Sequence, residues 1–164
     1  MAVDGPRPLF VYQLGVTYAT ELGSASMFEL LARRVRDPGL AELFRQQEQS
    51  KRCQADNLAE CVESVGRSPL QSTAPSEQGL RERFENFTQM QPSPEVLDMW
   101  ALGVAIRSKH LAILNYQELA ELAELLGEST CLERLRSNLQ TKEANLARLE
   151  EQRAAARNRI FAVV

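Results

Sequence analysis

The sequence predicts an all-α chain folded as an antiparallel four-helix bundle, with a short extra helix between the second and third long helices. Three observations carry this. Val and Ile are sparse and no two-residue alternation persists, while Ala, Leu, Glu, Gln and Arg dominate. Helix start and stop signals cut the chain into four segments of about 26–32 residues, joined mostly by short links. Within each segment apolar residues recur at alternating spacings of four and three, the mark of a helix with one buried stripe.

The elements follow in order. A first helix runs over about 9–36, where Asp37 and Pro38 stop it and open the next, Asp as cap and Pro in the first turn. The second reaches about residue 65, with Gly66 free to adopt the left-handed conformation that ends helices. Residues 67–76, rich in Ser, Pro and Thr, form a loop, and Ser76 caps a short helix over about 77–90. Ser93 and Pro94 repeat the cap-and-proline signal for a long helix ending near Leu126 and Gly127. Ser129 starts the last, which reaches about residue 157. One domain over 9–158 is therefore expected, with tails at 1–8 and 159–164.

The stripes name the inward residues. The first helix presents Leu14, Tyr18, Glu21, Ala25, Phe28, Ala32 and Val35; the third long helix presents Leu102, Ile106, Lys109, Ile113, Tyr116, Ala120 and Ala123. The second has Leu40, Phe44, Gln47, Lys51, Gln54, Leu58, Cys61 and Val65, apolar at both ends and polar in the middle. The fourth has Leu132, Leu135, Leu139, Lys142, Leu146 and Leu149, with Asn138 and Glu143 beside the stripe. A shift of 88 residues lays Leu14, Gly15 and Val16 on Leu102, Gly103 and Val104, and Asn57, Leu58 and Ala59 on Asn145, Leu146 and Ala147. The same shift superposes Glu21 on Lys109 and Ser50 on Asn138, so the chain reads as two related hairpins about a pseudo-twofold axis.

Composition bounds the function. With 22 Asp and Glu against 19 Lys and Arg, and a net charge of −3, there is no concentrated basic face for nucleic acid. A single His excludes a three-His zinc centre, whereas the acids leave a carboxylate metal site open. No apolar run is long enough to span a membrane, and Met1 to Phe10 lack the pattern of a secretory signal, so a cytoplasmic protein is expected. Cys53 and Cys61, eight residues apart on one helix, lie about 12 Å apart along its axis, too far for a disulfide. They are expected to be reduced, small buried hydrophobes. His110 lies beside the stripe and is expected to be a hydrogen-bonded structural residue. Tyr18, Tyr116, Phe28 and Trp100 read as core or dimer-interface aromatics. Arg153, Arg157 and Arg159 complement the negative end of the last helix.

The charges on the stripes are the informative feature, because burying one without a partner costs several kcal/mol. Bundles place such groups at mid-length to hold two metal ions, through a Glu from each of two helices and a Glu-x-x-His from each of the others. Here no Glu-x-x-His occurs, since Arg107 stands three residues before His110.

At these residues the chain resembles a family, the bacterial YciE/YciF proteins, ferritin-like bundles linked with stress responses. Tyr18, Ala19, Thr20 and Glu21 match the motif L-Y-D-A-E, which puts Glu21 on the metal-binding Glu of that family. Asp37 and Pro38 match the start of its second helix, and Gln54, Leu58 and Gly66 match its Q, L and G spacing. His110 and Tyr116 fall on the His and Tyr of E-H-Y-E-I-A-A-Y, and residues 94–98 resemble P-A-V-L-D. The departures lie in the ligands that the resemblance implies. The His and Glu of H-L-x-E-T become Gln47 and Ser50, the two Glu of E-H-Y-E become Lys109 and Ala112, and the acidic pair of the last helix becomes Asn138 and Leu139. Only Glu21 and Glu143 remain as candidate metal ligands.

The resemblance thus implies the fold without its metal chemistry. The expected centre is a polar layer of Glu21, Gln47, Ser50, Gln54, Lys109 and Asn138, with the Lys109 ammonium in the space of a metal ion and paired with Glu21. No catalytic residue and no cofactor is expected, and the reading is a structural or binding protein, related to stress by family analogy and assembled as a homodimer. Two alternatives stand beside it. One is an iron or manganese oxidoreductase or metal-binding protein that recruits Glu48, Glu118, Glu121 and Glu143. The other is a helical adaptor for a protein partner.

Overall fold

The computed structural model describes residues 2–68 and 73–162. Five helices make up the described chain: α1 (Pro6–Arg34), α2 (Pro38–Ser64), α3 (Pro75–Thr88), α4 (Pro94–Leu125) and α5 (Ser129–Phe161). The stop signals act as the sequence implies. Asp37 Oδ1 accepts from the Leu40 amide at 2.7 Å, satisfying an amide that the helix itself leaves unpaired. Ser93 caps α4 through the Val96 amide. Gly66 and Gly127 take φ of +74° and +71°, where a Cβ would clash with its own backbone. Three boundaries differ from expectation. α1 begins at Pro6 because Pro6 and Pro8 sit in a first turn that needs no amide donor, and α5 continues to Phe161. α3 begins at Pro75 with Ala74 at its cap, so Ser76 lies inside the helix and caps nothing.

Which residues share a cluster fixes the topology. Phe10 and Leu14 from the start of α1 pack with Leu58 and Val62 from the end of α2, Leu119 and Ala123 from the end of α4, and Leu135 from the start of α5. At the other end, Phe28 and Leu31 meet Leu40, Phe44, Leu102, Ala105 and Leu149. The helices therefore run up, down, down, up. α1 packs along α2 and α4, α5 packs along α4 and α2, and each of these neighbours is antiparallel. α1 and α5 are diagonal and parallel. The connection from α2 to α4 must traverse the whole bundle, and α3 lies within it, against α1 and α4.

Close approach of α3 depends on Gly23: a Cβ there would lie 3.1 Å from the Ala74 Cβ. Leu80 and Phe84 then reach the cluster of Phe28 and Leu102. Phe28 and Phe44 meet edge to face at 5.7 Å, and burying each such ring contributes about 1.5–3 kcal/mol. The turn between α1 and α2 is tied to the start of α4 by Asp98, whose carboxylate accepts from the Arg36 and Asp37 amides at 2.8 and 3.0 Å. Among the described residues no helix is long and apolar enough to cross a membrane.

Candidate functional site

Between the two apolar clusters lies a charged layer to which every helix contributes one residue. They are Glu21 of α1, Lys51 of α2, Glu77 of α3, Lys109 of α4 and Lys142 of α5, all 2% exposed or less. The 4-3 stripes turn Glu21, Lys51, Lys109 and Lys142 inward at the same height. Glu77 arrives from the crossover, held where α3 crosses Gly23.

Glu21 pairs with Lys142, across the diagonal of the bundle. Gln54 Oε1 accepts a second Lys142 hydrogen bond at 2.7 Å. Gln54 and Lys142 are 88 residues apart, so the pseudo-twofold relation that superposes Glu21 on Lys109 also superposes Gln54 on Lys142. The Lys142 ammonium also lies 4.9 Å from the centre of the Tyr116 ring, within cation–π range.

Lys51 and Lys109 both approach one aromatic ring, their Nζ atoms 4.6 and 5.3 Å from the centre of Phe28. Neither Nζ has a hydrogen-bond acceptor among the described residues. On the far side, Glu77 Oε2 accepts from Ser108 Oγ at 2.9 Å, and Ser108 and Ser24 share a hydrogen bond of 2.9 Å. Asn138 closes the layer toward the other cluster. Its Nδ2 donates to Tyr116 Oη and the Gln54 carbonyl, both at 3.2 Å, and its Oδ1 accepts from Asn57 at 2.8 Å. Gln47 donates to the Asn145 carbonyl at 3.1 Å. Ser50, half-buried, accepts from Gln54 at 3.2 Å.

The electrostatics follow from three amines facing two carboxylates. Burial acts to raise the Glu21 pKa, but the ammoniums of Lys142 and Lys51 outweigh it and hold the carboxyl below its ordinary range. Burial drives Lys109 well down, and repulsion from Lys51 and Lys142 adds to the fall. Burial also lowers Lys142, but Glu21 opposes it and leaves the value at about 8. Glu77 is raised, chiefly by burial. Burial and its two lysine neighbours thus favour loss of the Lys109 proton.

The partner expected for Glu21 is corrected: Lys109 is fully buried as expected, but Lys142 makes the ion pair. Glu143 lies on the solvent face of α5, one residue and about 100° round the helix from Lys142. Glu118 and Glu121 are exposed too, and Glu48 pairs with Arg52 at 2.8 Å, so none of the acids that the metal alternative would recruit reaches the centre. His110, expected to be a hydrogen-bonded structural residue, is exposed, with Nε2 3.6 Å from Glu150. Cys53 also faces solvent, whereas Cys61 and Cys131 are buried.

The donors at the centre do not fit a dinuclear metal. A pair of divalent ions needs several carboxylates to offset its charge, and here three lysine amines occupy the layer around Glu21. Among the described residues no group of three or more His, Cys, Asp or Glu could hold a metal ion.

A bundle of four long helices with one full-length crossover and a polar layer at mid-length is the ferritin-like class of fold. Within it, the chain belongs to the family described as a domain of unknown function, DUF892, whose model matches residues 5–160; this is the family of the ferritin-like YciE/YciF proteins. The crystal structure of the Escherichia coli stress protein YciF superposes with a TM-score of 0.89 at 23% identity, covering 94% of this chain and 98% of that one. YcfI of Rhodopseudomonas palustris gives 0.85 at 20% identity, covering 90% and 94%. A bacterioferritin of Rhodobacter capsulatus, solved with a metal-free dinuclear site, gives 0.68 at 16% identity, covering 89% and 84%. No curated protein matches the sequence.

Proposed function

We propose that this chain is a non-catalytic member of its family, a structural or binding protein in which an internal ionic network takes the place of the dinuclear metal centre. The observation that carries the reading is the set of three buried amines around Glu21, where a metal centre would need carboxylates. Three amines repel a divalent cation, and the ion pair between α1 and α5 does the cross-bracing that a bridging metal would supply. A role in stress responses is drawn from the similarity to the stress protein YciF, and a cytoplasmic location from the cysteines expected to be reduced.

The test is aerobic addition of ferrous iron, with ferric product followed by absorbance. The expected rate equals that of buffer alone. Oxidation faster than buffer, saturating at a fixed ratio of iron to chain, would instead establish the iron or manganese oxidoreductase.

Self-association as a homodimer belongs to the same reading. The neighbouring helices α1 and α4 carry Tyr12, Leu22, Leu111 and Leu114 at 40–58% exposure, apolar surface that a second copy would cover. Light scattering at two concentrations should give twice the chain mass; a monomer at both would reject the dimer and leave the adaptor reading.

A further inference from the structure

Two of the three cysteines form a buried pair at one end of the bundle, away from the charged layer. Cys61, one turn before the end of α2, and Cys131, in the first turn of α5, face each other at an antiparallel helix contact. Their contacts are reciprocal: Cys61 Sγ lies 4.0 Å from the Cys131 carbonyl oxygen, and Cys131 Sγ lies 3.7 Å from the Cys61 carbonyl oxygen. Each sulfur therefore sits over the backbone of the other residue, an approach that only two short side chains on closely packed helices can make. Ser64 Oγ completes the cluster: it donates to the Cys61 carbonyl at 2.8 Å and lies 3.3 Å from Cys131 Sγ.

The two thiols are not equivalent. Cys131 lies where the amides of α5 point outward and favour an anion, and Arg134, one turn on, is paired with Glu60. The hydrogen bond from the Cys61 thiol lowers Cys131 to about 6, while the same contact, together with burial, pushes Cys61 up. One sulfur is thus poised as the nucleophile and the other remains a thiol beside it. A surface cleft of about 320 Å³, lined by Asn57, Thr130, Glu133, Arg134 and Ser137, opens within one turn of both cysteines. Both helices have ends here, so local fraying of the first turn of α5 gives a small oxidant a short path.

We propose that Cys61 and Cys131 are a redox-active pair that a hydroperoxide converts to an intramolecular disulfide linking α2 to α5. In the first step the Cys131 thiolate attacks the terminal oxygen of the hydroperoxide, the O–O bond breaks, and the alkoxide or hydroxide leaves and takes a proton, giving Cys131 sulfenic acid. In the second the Cys61 sulfur attacks the Cys131 sulfur, the S–O bond breaks, and the hydroxyl leaves with the Cys61 proton as water. The two thiols lose two electrons in total and the hydroperoxide gains them.

The test uses the full chain with exposed Cys53 replaced, Cys53→Ser, so that chains do not link through that residue. The reduced protein is treated with hydrogen peroxide, free thiols are alkylated under denaturing conditions, and the digest is mapped by mass spectrometry. Expected are the loss of two hydrogens from the intact mass, a peptide joining Cys61 to Cys131, and a rate of linkage independent of protein concentration. In Cys61→Ala the second step is blocked, and a dione probe should label Cys131 as sulfenic acid. Should that variant lose its helical circular dichroism, the linkage map of the Cys53→Ser chain decides alone. Both thiols still free after treatment, or links found only between chains, would overturn the proposal.

Discussion

Glu21→Gln removes one negative charge and almost no volume from the centre of the bundle. Glu21 is 1% exposed and is the ion-pair partner of Lys142, itself fully buried. After the change Lys142 keeps only neutral acceptors, Gln54 among them, and Glu77 alone faces three amines. Breaking a buried pair from one side costs about 3–5 kcal/mol. Neutralisation limits the loss: Lys142 is already near 8, so giving up its proton at pH 7 adds only about 1–2 kcal/mol. A loss near the lower bound, about 3 kcal/mol, is therefore expected. The reverse change is cheaper. In Lys142→Met, Lys51 and Lys109 still surround Glu21, and Lys109 holds its proton more firmly once a repelling neighbour has gone, so about 1–2 kcal/mol is expected. The double variant should recover most of both losses, giving a coupling energy of at least about 2 kcal/mol. Urea unfolding at pH 7, with midpoint and slope fitted for all four proteins, measures the cycle. Additive losses, or a Glu21→Gln chain as stable as wild type, would refute the reasoning.

The same geometry sets three further outcomes. Lys109→Met should leave stability unchanged or raise it by about 1–4 kcal/mol, since Lys109 is fully buried with no acceptor for its Nζ; a loss above about 1 kcal/mol in urea unfolding would show an unseen partner. Lys142 is lowered to about 8 from 10.5, so between these values the unfolded chain binds a proton that the folded chain does not, and stability rises with pH. Up to about 3 kcal/mol should be gained across that window, and comparing Lys109→Met with the Lys109→Met/Lys142→Met double variant isolates it from Lys109, which acts in the same sense, from the cysteines, and from Tyr116, whose raised pKa acts in the opposite sense above pH 10. Gly23→Val should push Ala74 and Glu77 off α1 and cost about 1–3 kcal/mol, with faster hydrogen exchange confined to α3.

The fold was legible because local chemistry and periodicity agreed. Asp37, Ser93, Gly66 and Gly127 mark ends that the helices use, and the stripes through Phe28, Phe44, Tyr116 and Leu149 face the core. The stripes also placed Lys51, Lys109 and Lys142 inward, which is most of the charged layer. Pairing was not legible. A stripe says that a residue faces the axis but not which opposing side chain it meets, and Glu21 meets its partner across the diagonal, where helix adjacency gives no hint. Glu77 was invisible for another reason. It sits on a 14-residue helix with too few turns to define a stripe, and it is buried only because Gly23 lets that helix approach. Glu143 looked like a ligand because it adjoins a stripe; a single position on a helix turns it by about 100°, from the axis to solvent. Cys131 lies four residues before Leu135 on the side that α5 turns to α2, and its nearness to Cys61 depends on tertiary packing alone.

The most direct measurement is the metal content of the protein itself, produced in medium supplemented with iron or with manganese and purified without chelator. With lysines at the centre of the bundle, far less than one ion per chain is expected in either case, and Glu21→Gln should leave that figure unchanged. Two ions per chain, lost on substituting Glu21, would contradict the claim that an ionic network has replaced the metal centre.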